Sequence, residues 1–406
     1  MYRINNQTMR ENNIQIILNT IRKEGSISRS DLAARLGLTS PAVTNIVSAL
    51  IKEGLLVETG RQDSALGRKP ILLSINAQKS YLVSLMFTTE CVRAMLCDFA
   101  VRPLHTEEHI LNPDASREEI VERLVGCVSD CIENSGVDRS KIMAIGIAAP
   151  GPLDVQEGQI LCPPNFPELR NVPICETMSR AFGIPAALDK ETNAAALAEY
   201  VFGDIGEDQT AFAMLLMCNS IGGSVVHGGK VMHGFADGAG DIGHSLVDIN
   251  GPRCSCGQYG CLERVACGDA LVSRASSKIK AMNNVRITVP YDADALTLED
   301  IFRYSDANVS LFKETVDYAA RMIATAIGNV VSIVSPGVVM IGGAMVDMDR
   351  NLLPKIREYV HSRSYPDCVK NIRIEKSRLG ADACLQGAAI LAINRYQRNL
   401  FPERLL

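Results

Sequence analysis

Four residues between positions 244 and 261 constrain this chain more than any other feature: His244, Cys254, Cys256 and Cys261. They stand in GHSLVDINGPRCSCGQYGCLE, residues 243–263, with glycines between the cysteines. Three thiolates and one imidazole make a Cys3His set, a common closed tetrahedral zinc site. Gly257 and Gly260 allow the tight turns that bring Cys256 and Cys261 to one metal. Unrelated core thiols are the plain alternative. The Cys-x-Cys-Gly-x-x-Gly-Cys spacing, with a histidine ten residues upstream, argues against it. Four protein ligands fill the tetrahedron, so the expected ion is one structural Zn2+ per chain, with no open position for catalysis. Residues 241–263 are expected to lose local order without it. Two carboxylates, Asp241 and Glu263, flank the set and offer polar groups for a ligand.

The 406 residues are enough for two or three domains, and 47 % apolar residues can build large cores. Tryptophan is absent and aromatics are 5 %, which disfavours a broad stacking surface for single-stranded nucleic acid. The net charge of −5 is uneven. Residues 1–76 hold ten Lys/Arg against six Asp/Glu, a balance of +4, and the remainder carries −9. A basic head on an acidic body implies that only the head meets a polyanion. The N-terminal residues lack the apolar core of a signal peptide, and no apolar run reaches the ~18 residues of a membrane span. The thirteen cysteines are odd in number and mostly in apolar surroundings, which suits reduced thiols in a cytoplasm.

Ile14, Ile17, Leu18 and Ile21 mark an amphipathic first helix ending at Gly25. Ser28 is placed to cap a short helix stopped by Gly37. Pro41 opens another, PAVTNIVSALIKEG, with Val43, Ile46, Val47 and Leu50 inward. Two strands follow, LLVETG and KPILLSI. The pattern is a winged helix-turn-helix over residues 1–76. Its second helix would enter the major groove of double-stranded operator DNA, presenting Thr39, Ser40, Ala42, Thr44 and Asn45 to base edges. Arg68 and Lys69, in Leu66–Pro70, form a slim cationic arm suited to a narrow minor groove. A protein-contact module with Arg68 and Lys69 merely solvated is the alternative. From residue 78 onward, strands alternate with helices and hairpins, which reads as α/β with mixed sheets.

GIAAPGPLD, the helix ETNAAALAE, the cysteine segment and SPGVVMIGGAM, in this order, resemble the ROK family of repressors, open reading frames and sugar kinases. The resemblance spans most of residues 80–396 and is closest to the xylose-repressor branch. It implies an actin/hexokinase-like body of two α/β lobes with a sugar in the cleft. The lobes are expected at 77–190 with 381–406, and at 191–380, the latter with the zinc site and a dimer interface. The family pocket maps to Asn165, Glu191, Asp241, His244 and Glu263. Alone, Glu191 is also explained as a helix N-terminal carboxylate, and Asp241 and Glu263 as solvated groups. Family kinases carry Asn-Asp-x-Asn before the Ala-rich helix and Asp-x-Gly-Gly-Thr after the first strand. This chain reads Lys190-Glu191-Thr192-Asn193 and Ser84-Leu85-Met86-Phe87-Thr88-Thr89. Bulky Met86 and Phe87 would obstruct close backbone approach of phosphate. The Gly-Thr-Gly of the second loop is altered to Cys218–Gly223. The expectation is therefore a cytoplasmic repressor rather than an enzyme. It would be a homodimer or dimer of dimers, released by a free monosaccharide such as xylose or glucose. A sugar kinase with an appended head, and a factor controlled by a protein partner, are the alternatives.

Overall fold

The head is shaped by its caps. The computed structural model describes residues 6–61, 70–112, 114–203, 205, 211–218, 220–284, 291–362 and 371–400. Helix α1 (Asn6–Glu24) buries Ile14, Ile17, Leu18 and Ile21, the face that its apolar spacing requires. After β1 (Ile27–Ser28), the Ser28 hydroxyl accepts from the Asp31 amide and opens α2 (Arg29–Leu36). Gly37 closes it in the left-handed region at φ 62°. Thr39 caps α3 (Ser40–Lys52), whose buried residues are Val43, Ile46, Val47 and Leu50. Strands β2 (Leu56–Arg61) and β3 (Ile71–Ile75) pair antiparallel, and β1 adds to β3. The wing tip between them, with Arg68 and Lys69, lies outside the described residues.

The chain divides into two compact units. The first comprises residues up to Phe202 together with Asp382 onward, and includes the head; the second is Gly203–Ala381. The sequence reading began the second lobe at 191, whereas helix Glu191–Phe202 groups with the first unit.

In the first unit a five-stranded sheet has the order β10-β7-β4-β5-β6. Its strands are β4 (Tyr81–Phe87), β5 (Cys91–Asp98), β6 (Pro103–Ile110), β7 (Ile142–Ala149) and β10 (Ala186–Lys190). A small hairpin, β8 (Leu153–Asp154) and β9 (Gln159–Ile160), follows β7. Helix α4 (Arg117–Asn134) starts at a Ser116–Glu119 capping box and buries Leu124, Cys127, Val128 and Cys131. Helix α5 (Ile174–Phe182) precedes β10, and α6 (Glu191–Phe202) follows it.

The second unit repeats that strand order as β15-β14-β11-β12-β13. These are β11 (Ala211–Met217), β12 (Ile221–His227), β13 (Lys230–Val231), β14 (Val338–Gly342) and β15 (Arg373–Lys376). In both sheets the first two strands are antiparallel, and the fourth lies parallel to the first and to the fifth. The helices are α7 (Leu262–Ala266), α8 (Gly268–Asn284), α9 (Leu298–Asp306), α10 (Ser310–Val334), α11 (Ala344–Met348) and α12 (Leu352–His361). Phe312, Val316, Ile323 and Ile327 of α10 centre one apolar core.

The last helix, α13 (Ala383–Leu400), returns to the first unit. A Cβ on Gly146 would stand 1.7 Å from the Ala388 carbonyl oxygen, and one on Gly387 1.8 Å from that of Ala194. The small residues of α6 and α13 are therefore a packing requirement, which lets β7, α6 and α13 meet backbone to backbone.

Candidate metal centre and effector residues

The cysteine segment folds as a sequence of forced turns. The Cys254 amide donates to the Gln258 carbonyl at 2.7 Å and the Gly257 amide to that of Cys254 at 3.0 Å, with Gly257 at φ 95°. Gly260 sits at φ 68°, and a Cβ there would lie 1.6 Å from the Asp248 carbonyl oxygen, so only glycine fits. Its own carbonyl accepts from the Val247 and Asp248 amides. Short antiparallel bridges pair Leu246 with Cys261 and Arg253 with Tyr259. The Tyr318 hydroxyl of α10 donates to the Asp248 carboxylate, which ties the loop to the core.

The result brings together all four residues singled out by spacing. The ligand atoms of His244, Cys254, Cys256 and Cys261 lie within 4.8 Å of one another. The Cys256 and Cys261 sulfurs are 3.6 Å apart, and the Cys254 sulfur is 3.5 Å from His244 Nδ1. A tetrahedron with metal–sulfur bonds of about 2.3 Å has edges of about 3.8 Å, so the set fits a zinc-sized ion with little movement. Nδ1 is the imidazole nitrogen that faces the sulfurs. Cys254 and Cys261 are buried and Cys256 is exposed. Burial pushes the Cys261 thiol up to about 12, while the Gln258 backbone holds that of Cys256 below its usual range. Ligation would have to displace these protons, so metal uptake and proton release are coupled. No disulfide joins any cysteine among the described residues.

Three of the five expected sugar-reading residues gather beside this knot. The His244 amide donates to the Asp241 carbonyl in the 3-10 turn Ile242–His244. Glu263 stands in the first turn of α7, two residues after Cys261, and its Oε2 accepts from the Ile221 amide at 3.4 Å. A Cβ on Gly243 would meet the Ile221 carbonyl oxygen at 1.9 Å and the Glu263 Cβ at 3.7 Å. Asp241 is exposed; His244 and Glu263 are half-buried.

Asn165 and Glu191 belong to the first unit. Asn165 is exposed beside Phe166, whose buried ring packs edge-on against Phe87 at 5.3 Å. Glu191 is half-buried at the first position of α6, and its carbonyl accepts from the Cys384 thiol. Around it stands a buried polar group whose centre, Asp189, the sequence reading did not single out. Asp189 Oδ1 accepts from the Lys190 amide at 2.8 Å and from Asn193 Nδ2 at 2.7 Å, with Lys190 buried against Gly151. The signal available was charge placed immediately before an Ala-rich helix.

The two turns at which the family resemblance implies phosphate binding carry other contacts here. At the β4–β5 turn, the Thr88 hydroxyl accepts from the Glu90 and Cys91 amides, consuming donors that a phosphate would use. Phe87 is buried there. Just past the β11–β12 turn, a Cβ on Gly223 of β12 would strike the Ile242 side chain at 2.5 Å, so this glycine serves packing. Asn219, within that turn, lies outside the described residues. Gly343 at φ 98° lies against the Met217 carbonyl, which explains the glycine pair 342–343 structurally.

In the head, Thr39, Ser40, Thr44 and Asn45 are exposed and Ala42 is half-buried. The Thr39 hydroxyl accepts from the Ala42 amide as a helix cap. Ser48, one turn beyond Thr44, is also exposed and was not anticipated. No helix among the described residues is long and apolar enough to cross a membrane.

Comparison with known proteins agrees with both parts of this layout. The sequence profile of the ROK family matches residues 89–395, and that described as winged helix-turn-helix DNA-binding matches residues 11–57. The xylose repressor of Caldicellulosiruptor bescii is 27 % identical over 98 % of this chain and 99 % of its own. The DNA-binding transcriptional dual regulator NagC of Escherichia coli K12 is 24 % identical over 93 % and 92 %. A ROK family transcriptional regulator, homolog of the E. coli MLC protein, has a structure that matches with a TM-score of 0.77 at 24 % identity, covering 96 % of this chain and 97 % of that one. The ROK hexokinase from Thermus thermophilus matches at 0.61 and 29 % identity, covering 77 % of this chain and 98 % of that one.

Proposed function

The chain belongs to the ROK family, and from that membership we propose that it is a sugar-responsive, DNA-binding transcriptional repressor of a carbohydrate-utilisation operon. The observation that carries this reading is the head. A capped α3 with an exposed polar face of Thr39, Ser40, Thr44 and Asn45 heads a ROK body whose first phosphate turn is closed by Thr88. Relatives named as repressors align with this chain from end to end, head included.

In this proposal α3 reads operator bases through Thr39, Ser40, Ala42, Thr44 and Asn45, and Arg68 and Lys69 enter the adjacent minor groove. The effector is a free monosaccharide, with xylose first because of the relatives' names and glucose-like sugars next. The residues proposed to read its hydroxyls are Asn165, Glu191, Asp241, His244 and Glu263. One Zn2+ per chain, held by His244, Cys254, Cys256 and Cys261, has a structural role: it fixes His244 and the flanking carboxylates. With Nδ1 on the metal side, Nε2 of His244 is the nitrogen left for a hydroxyl. The protein acts in the cytoplasm as a homodimer or dimer of dimers, without enzymatic activity. Sugar binding weakens operator binding only if the two DNA-binding states differ in sugar affinity.

The competing reading, a ROK sugar kinase with a regulatory head, draws on the likeness to the hexokinase. A thermal-shift screen of some twenty sugars and sugar phosphates, followed by operator binding with each hit, tests the proposal. A panel without a stabilising sugar, or a hit that leaves operator affinity unchanged, sinks it.

A further inference from the structure

Helix α1 is buried on two faces, and its apolar face accounts for one of them. Asn19 and Arg22 are also buried, at 9 % and 8 % exposure. What covers Arg22 is the β5–β6 turn of the body, 77 residues away. Its Nε and Nη2 donate to the Phe99 carbonyl at 3.4 and 3.3 Å, Nη1 donates to Asn19 Oδ1 at 3.0 Å, and the guanidinium lies 5.4 Å from the Phe99 ring centroid.

The turn is built to present that carbonyl. Asp98 Oδ1 accepts from the Ala100 and Arg102 amides at 2.9 Å each, and Oδ2 pairs with Arg102 Nε at 2.8 Å. Val101 is held at φ 66°, a region that β-branched residues avoid. The Phe99 amide donates to Ala77, and the neighbouring Asn76 donates through Nδ2 to the Gly54 carbonyl and through its amide to that of Leu55. Arg22, Phe99, Ala77, Asn76 and Gly54 thus form a chain of contacts along the segment joining head to body. Alongside it, α1 packs on α6, the helix that begins with Glu191.

We propose that Arg22 is a positioning residue that seats the head in the Phe99 turn, and that sugar binding at Glu191 reaches the operator through the α1–α6 seam. The second half rests on the sugar-responsive reading above; the first does not. The Arg22 guanidinium is buried with neutral acceptors, and the neighbouring Asp98 carboxylate that favours its charge is itself paired with Arg102, so its return to water is not strongly opposed. Burial also pulls Arg22 down to about 10, the cost of holding its charge away from water. In this proposal the seat has a docked and a released state, and a small shift of α6 biases the two.

Full-length Arg22→Met and Arg22→Gln test this by hydrogen exchange and operator titration, with D-xylose, D-glucose and N-acetylglucosamine as probes. Arg22→Met should speed exchange in 14–24 and 98–102 by about tenfold or more, leaving 241–263 unchanged. Sugar affinity should stay within about twofold, while a sugar effect on operator binding of about tenfold or more in the parent should fall below about twofold. Arg22→Gln, which keeps a donor for Phe99, should lie between, and it carries both readouts if the methionine variant does not fold. Unchanged exchange in both segments overturns the seat. A full sugar response in a variant whose seat is loosened overturns the coupling. A parent that responds to no probe contradicts the proposed function and the coupling together, and the exchange readout still decides the seat.

Discussion

Glu263 and Ile221 are joined by a 3.4 Å hydrogen bond from backbone amide to carboxylate, so a residue proposed to read the sugar also holds the first residue of β12. Glu263 follows Cys261 by two residues, and Gly243 is wedged between Glu263 and the Ile221 carbonyl. Metal knot, sheet edge and proposed sugar reader are therefore one piece of structure, and disturbing any of them should be felt by the others.

Metal removal is the first consequence. The purified protein should contain one zinc per chain by elemental analysis. Cys261→Ser should lose it, because Cys261 is fully buried and the set has no spare ligand. Loss of about 3 kcal/mol from a unit of this size should lower its melting temperature by about 6–12 °C. A metal-free protein with unchanged melting would contradict a structural role.

Glycine replacements separate forced turns from free ones. Gly243→Ala would place a methyl 1.9 Å from the Ile221 carbonyl oxygen and should cost about 2–4 kcal/mol, with partial zinc loss. Gly126, inside α4, meets nothing within 4 Å, so Gly126→Ala should stabilise by about 0.5–1 kcal/mol. Urea unfolding of the two variants checks both signs.

Much of this was legible in the sequence where one local rule governs. Ser28, Gly37 and Pro41 stand where the capping and first-turn rules put them, and the Cys3His spacing brought its four atoms together. What escaped was set by contacts distant in sequence. Asn19 and Arg22 look like solvated helix residues until the Phe99 turn covers them. Gly146 and Gly387 look like helix and strand weaknesses until α13 approaches β7 and α6. Asp189, which joins the buried Lys190 and Asn193, is marked by no spacing rule.

Phosphoryl transfer should be absent. The Thr88 hydroxyl holds the Glu90 and Cys91 amides, and Phe87 fills the space beside them. Coupled ADP release over a hexose and pentose panel should stay below ~0.1 s⁻¹, against the ~1–100 s⁻¹ usual for kinases. Faster turnover with any sugar would restore the kinase reading.

On the DNA side, Asn45→Ala should cost about 1–3 kcal/mol and relax preference at one base pair, as loss of a bidentate contact does. Removing Arg68 and Lys69 together should weaken binding across sequences and reduce the salt slope by about two. Titrations at several salt concentrations separate these two signatures.

Operator titration of the full-length protein with and without each stabilising sugar, in parallel with Glu191→Gln and Glu263→Gln, bears most directly on the central claim. Glu263→Gln keeps an acceptor for the Ile221 amide, so its fold should persist. The parent should lose operator affinity about tenfold or more at saturating sugar, and each variant should bind that sugar about tenfold or more weakly, moving the response to higher concentration. Operator affinity that is the same at zero and saturating sugar, or variants that respond like the parent, would contradict the account.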